Sequence, residues 1–207
     1  MWRSLCRSQP AIVVWRRTTR HAVSLPSIGI DLHVVLVQPH TPWNAGSVGR
    51  TCLGYNATLH LVGPLGFSLD EKSVRRSGLD YWHRVPKRVW NHWEEFTEQQ
   101  KPHFDHTYYF STRASESLIS HDFGEKIMNS PSANERASVA IVFGCESIGL
   151  FDLIGAKEME DGLVVAIPMN ENPEAGFRSY NLSCTVSMVV WDLYKSCYMA
   201  STKTLPE

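Results

Sequence analysis

With 207 residues, 43% of them apolar, the chain suits one domain with a full core and agrees with a soluble globular protein. No apolar run reaches the ~18 residues of a membrane span. Five scattered cysteines (Cys6, Cys52, Cys145, Cys184, Cys197) without a CxxC pair argue against a disulfide scaffold or a zinc site and for a reducing compartment.

Residues 1–30 hold five arginines (Arg3, Arg7, Arg16, Arg17, Arg20), several Ser and Thr, and no acidic residue. That composition predicts a mitochondrial or plastid transit peptide, with a disordered basic extension as the alternative. Without this segment, 15 Lys and Arg face 21 Asp and Glu, a net charge of −6 for residues 31–207. A nucleic-acid site must then be a local patch. The candidate lies between Lys72 and Arg88, where Lys72, Arg75, Arg76, Arg84, Lys87 and Arg88 surround Tyr81, Trp82 and His83.

From residue 31 apolar runs alternate with helical patterns. LHVVLVQ (32–38) predicts a buried strand, and a helix follows from about Asn44 to Tyr55. ATLHLVG (57–63) reads as a second strand, LDEKSVRRSG as a short helix and WNHWEEFTEQQ as a surface helix. HTYYFST (106–112) is a third strand, and residues 113–137 are irregular with room for one short helix. SVAIVFG (138–144) predicts a strand, FDLIGAKE a helix and LVVAIPM (163–169) the last strand. The final helix spans roughly 180–199, with Leu182, Val186, Val189, Val190 and Leu193 on one face. The expected fold is therefore α/β: a mostly parallel sheet flanked by helices over residues 31–200, with its sites at the carboxyl ends of the strands and a short tail over 201–207.

Three strand ends carry unusual chemistry. After the first strand comes PWNAGSVGR, in which Asn44 can cap the helix while Gly46 clears space for a ligand beside Arg50, one turn later. After the fourth comes FGCESIGL, where Gly144 and Gly149 bracket Glu146 in a turn whose backbone can reach a ligand. After the last strand a long polar loop, NENPEAGF, precedes RSYNLS, so that Arg178, Ser179, Asn181 and Ser183 crowd a helix N-terminus with its unpaired N–H groups. Connections of this kind usually take two to six residues, and longer ones bind something or are disordered. Each segment also has an ordinary explanation as a solvated arginine, a glycine turn or a plain cap. No GxSxG is present, the GxGxxG of a dinucleotide site is replaced by NAGSVGR, and His103 and His106 lack a third metal ligand.

In order along the chain, PWNAGSVGR, the GPLGF turn, RRSGLDYW, FGCESIGL, IPM and RSYNLS resemble the motifs of the SPOUT superfamily of RNA methyltransferases. The likeness is to the bacterial branch that 2′-O-methylates the wobble cytidine or uridine of tRNA, and it covers about His33 to Tyr194. It implies a C-terminal trefoil knot, S-adenosylmethionine bound in that knot without a metal, and a homodimer with the active site near the interface. By matching positions, Phe110, Gly144, Ile167 and Ser179 contact the cofactor, with Met169 and Leu182 as neighbours and Gly149 in the same turn. A branched side chain at Gly144 is expected to enter the cofactor slot.

Arg50 matches the arginine to which the family assigns loss of the ribose proton. Since arginine stays protonated, the expected role is to grip the adjacent phosphate and polarise the hydroxyl, with that phosphate assisting proton loss. Asn44, Glu146, Ser179 and Asn181 would orient Arg50 or the ribose, and Arg75, Arg76 and Arg178 are the candidate RNA contacts. The chain departs from the pattern in its longer NENPEAGF loop and in Cys145 and Ile148, where the family usually has Pro and Arg. These departures leave two other functions open: a knotted RNA-binding protein that has lost catalysis, and an α/β enzyme acting on a small nucleotide.

Overall fold

Strand β1 (Ile30–Val37) is buried at every position except Asp31, which is what a strand covered on both faces requires. The structure, a computed structural model, describes residues 24–69, 81–129, 136–170, 176 and 178–203. The arginine-rich extension, nearly all of the expected LDEKSVRRSG helix with Arg75 and Arg76, and most of the loop after Asn170 lie outside the described residues.

Around β1 the described strands β2 (Thr58–Val62), β3 (Lys87–Trp90), β4 (His106–Phe110), β5 (Glu116–Ser117), β6 (Ala137–Phe143) and β7 (Leu163–Ala166) form one sheet in the order β3-β2-β1-β6-β4-β7-β5. Every pairing is parallel, so all carboxyl ends point one way. The order in which strands are added changes side at β1, and such a switch point leaves a crevice at the strand ends.

Alternation along β1 divides the core. Leu32, Val34 and Leu36 face α1 (Pro42–Tyr55), α3 (Phe123–Met128) and α5 (Leu182–Lys203), while Val35 and Val37 face α2 (Trp93–Gln99) and α4 (Leu150–Ile154). The stripe expected on the last helix is buried in full, and Tyr194 and Cys197 extend it. Gly49 lets α1 pack closely, since a Cβ there would stand 2.9 Å from Trp82 Cζ3.

Several boundaries differ from the sequence reading. Helix α1 starts at Pro42, whose fixed φ and missing N–H suit the first helical position, and Thr41 precedes it without a side-chain cap. Asn44 is therefore not a cap; it is buried inside the first turn. Helix α2 lies on the surface as expected but begins only at Trp93; Glu94, Glu98 and Gln99 are exposed while Trp93 and Phe96 form its buried inner face. Strand β3 escaped notice because KRVW is half-polar, as an exposed edge strand can be.

Beneath β1 and β2 lies a polar chain inside an aromatic cluster. Trp90 Nε1–H donates to His60 Nδ1 at 3.1 Å, and His60 Nε2 lies 2.9 Å from His33 Nδ1. Indole only donates, so His60 carries its proton on Nε2 and passes the bond to His33, whose Nε2 faces Asp31 at 3.5 Å. Burial first, then the neighbouring His33 and Arg88, push the His60 imidazole down to about 3. The unfolded chain therefore takes up a proton that the fold refuses, and stability should fall as pH drops from about 6.5 towards 3. Urea unfolding across that range checks this. His60→Leu should flatten the dependence and cost about 1–3 kcal/mol by orphaning the Trp90 N–H; an unaltered slope would dissociate the pair from acid sensitivity.

Candidate active site

A cavity of about 650 Å³ opens at the carboxyl ends of β4, β6 and β7. Its floor is the pair Phe110 and Phe143, the last residues of β4 and β6, stacked with centroids 4.9 Å apart and planes 16° apart. Val165 and Ile167 close one side, and Leu182 and Thr185 of the first turn of α5 another. All seven residues expected at the cofactor (Phe110, Gly144, Gly149, Ile167, Met169, Ser179, Leu182) line this space, as do Glu146, Asn181 and Arg178.

The three motif segments are joined there by one hydrogen-bonded chain. Glu146 accepts from the backbone N–H of His40 (2.9 Å) and Thr41 (3.1 Å) and from Asn44 Nδ2 (2.7 Å). A carboxylate thus sits at the amino end of α1, where the helix dipole favours it. Asn44 Oδ1 accepts from Asn181 Nδ2 at 3.1 Å. Asn181 Oδ1 in turn accepts from Ser183 N (2.9 Å), Ser183 Oγ (2.7 Å) and Cys184 N (3.4 Å), capping α5. Burial works to raise the Glu146 carboxyl, but the bonds from Asn44, His40 and Thr41 outweigh it and hold the group below its ordinary range.

Arg50 stands apart. It is exposed on α1 and does not line the cavity of its own chain. Its Nε donates to the Tyr81 hydroxyl at 2.7 Å, and its guanidinium lies 4.7 Å from the Tyr81 ring centroid. Gly46 is buried, so the clearance expected beside Arg50 is not an open surface. Gly144 also differs from expectation. A Cβ there would meet Leu150 N at 3.0 Å and Ile148 O at 3.3 Å, so a side chain strikes the turn's own backbone before it enters the cavity.

Two rim pairs escaped the sequence reading. Ser147, which lines the cavity, places its Oγ 3.0 Å from His40 Nδ1. Arg113 forks onto both carboxylate oxygens of Asp152 at the mouth. The partners in these pairs are 107 and 39 residues apart, and no local pattern announces them.

Residues 31–191 match the SpoU rRNA Methylase family, and the chain belongs to it. A protein of Geobacillus stearothermophilus provisionally named a tRNA (cytidine(34)-2′-O)-methyltransferase is 39% identical over 162 residues, spanning 78% of this chain and 92% of that protein. A solved structure described for the 2-OH methylation of C/U34 on tRNA superposes with TM-score 0.66 at 31% identity, covering 83% of this chain and 99% of that one. The SpoU methyltransferase AviRb from Streptomyces viridochromogenes, solved in complex with AdoMet, shares the fold at TM-score 0.59 and 18% identity, over 86% of this chain and 64% of its own.

Glu146→Gln should show what the chain contributes. It places an amide N–H among N–H donors at a half-buried position, which should weaken the anchor. Because the folded carboxyl is depressed, its stabilisation is present above the ordinary value of 4.5 and lost as pH falls through the folded value. Thermal melts between pH 3 and pH 7 should lose that acid-sensitive component in the variant, and identical profiles would remove Glu146 from the anchor.

Proposed function

We propose that the chain is an S-adenosylmethionine-dependent tRNA 2′-O-ribose methyltransferase that modifies the wobble cytidine or uridine. The observation that carries this reading is the convergence of three separate motifs on one cavity through the Glu146–Asn44–Asn181 chain. The residues fit the cofactor. A volume of about 650 Å³ is that of a small-molecule site, the stacked Phe110 and Phe143 floor suits a flat base, and the Gly144–Gly149 turn and the amino end of α5 present backbone polar groups.

When bound, the cofactor supplies an electrophilic methyl group. The chain's part is to hold the ribose hydroxyl in line, which contributes much of the rate in such reactions. Asn44, Glu146, Ser179 and Asn181 set the lip on which the ribose rests, and Arg178 on the rim and the basic segment from Lys72 to Arg88 contact tRNA phosphates. Among the described residues of that segment, Lys87 is tied to the Trp82 carbonyl and Arg88 to Gln100, while Arg84 is exposed. A C-terminal trefoil knot that wraps the cofactor belongs to the same reading.

The working unit is a homodimer. Trp43 on α1 and Met188, Trp191 and Tyr198 on α5 are large apolar side chains left exposed, the two tryptophans by 56% and 57%. Thr51 and Ser187 bond across these two helices at 3.0 Å, which makes their outer faces one surface. Pairing that surface with a second copy buries the patch and brings Arg50 of α1 to the interface beside the active site. Trp191→Asp should yield a monomer in sedimentation velocity with little transfer activity; a fully active monomer would refute the dimer.

Tritium transfer from labelled S-adenosylmethionine to tRNA tests the activity. No transfer by a folded, cofactor-binding chain would leave the catalytically silent knotted RNA binder, and transfer to free nucleotides the small-substrate enzyme. In single-turnover assays at saturating tRNA, Arg50→Ala should lose about 10²–10³ in rate, as for comparable preorganised contacts. Arg50→Lys should not rescue it, because lysine lacks the planar fork. Adenosylhomocysteine affinity should barely change in either variant. A lysine variant at wild-type rate would mean that charge alone suffices.

A further inference from the structure

We propose that Ser147 and His40 form the route by which the ribose proton leaves, a role that rests on the methyltransferase reading and replaces the substrate phosphate as the final acceptor. Ser147 lines the cavity next to Glu146, and its Oγ lies 3.0 Å from His40 Nδ1. The neighbouring side chains are unsuited to accept a proton. Both oxygens of Glu146 are engaged by N–H donors. Arg113 is a cation already forked onto Asp152, and Arg50 is bonded to Tyr81 away from the cavity. An imidazole is the one side chain whose ordinary charge change falls between about pH 5 and 8.

His40 is held in place by backbone. Its N–H donates to Glu146, Gly66 N–H donates to the Pro39 carbonyl at 3.0 Å, and a Cβ on Gly66 would fall 2.7 Å from His40 Cα. Among the described residues, the β6–α4 loop therefore faces His40 with the Glu146 carboxylate and the Ser147 hydroxyl. The loop after β2 faces it with uncharged glycine backbone.

The step balances. As the methyl group leaves sulfur for the ribose 2′-oxygen, the hydroxyl proton passes to Ser147 Oγ and the Ser147 proton passes to His40 Nδ1. The products are a methyl ether, a neutral thioether, an intact serine and an imidazolium. The positive charge lost by the sulfonium reappears on His40. Before the step His40 must carry its proton on Nε2, so that Nδ1 is free to accept.

Two measurements on the full-length chain test this. Nitrogen-15 NMR of the imidazoles should show the His40 Nε2–H form in the wild type, and Ser147→Ala should lower its population. Single-turnover methylation of tRNA between pH 5.5 and 9 should show an acidic limb that is flat in His40→Gln. That variant should lose about 10²-fold in rate, the low end for general acid–base catalysis, with unchanged adenosylhomocysteine affinity by calorimetry. Added imidazole should restore part of the rate of His40→Ala. A His40→Gln variant that keeps the wild-type rate, or that loses rate but keeps the acidic limb, overturns the proposal alone. A wild-type chain that binds cofactor but methylates no tRNA overturns the methyltransferase reading with it.

Discussion

The Glu146 carboxylate is the interaction on which the site depends. It is a charge held at a helix terminus by three donors drawn from the segment after β1, and through Asn44 it fixes Asn181 at the head of the last helix. None of these groups needs to touch a ligand to matter. Each amide has one orientation that satisfies both neighbours, so the chain of bonds has a single polarity from α5 to the β6 loop. Three loops that would otherwise move independently share one geometry, and the cavity takes its shape from that agreement.

Its location follows from the sheet. Parallel strands deliver all their carboxyl ends to one side, and the change of winding order at β1 leaves that side open. Elsewhere on the sheet His33 and His60 are sealed into the aromatic cluster with Trp90 and Phe96, and Asp31 meets His33 from the exposed side. The molecule thus keeps a rigid buried polar chain within its body and a polar chain open to ligand at the strand ends.

Much of this was legible in the sequence. The runs LHVVLVQ, SVAIVFG and LVVAIPM announce buried parallel strands because such strands need no polar face, and the i, i+4, i+7 stripe from Leu182 marks the inner face of α5. Matching positions in one family pattern brought Phe110, Gly144, Ile167, Ser179 and Leu182 together, and these five line one cavity. What stayed hidden depends on partners distant in sequence. Asn44 looks like a cap by residue type, yet Pro42 starts the helix two residues earlier and releases Asn44 to bridge Glu146 and Asn181. Gly144 looks like clearance for a ligand, but the space belongs to Leu150 backbone. His40 and Ser147 carry no spacing signal, since only the fold places them together. Arg50 was placed with the site by its motif, whereas within one chain it is held by Tyr81 on an outer face.

The Asn44–Asn181 bond spans 137 residues, and this has a consequence for biosynthesis. A nascent chain can pair β1 with β2 early, but the lip of the cavity has no last member until the head of α5 has left the ribosome. A complete cavity must therefore follow synthesis of nearly the whole domain. Truncated products, however well their sheets begin to form, lack the Asn181 end of the lip and have nothing to latch it.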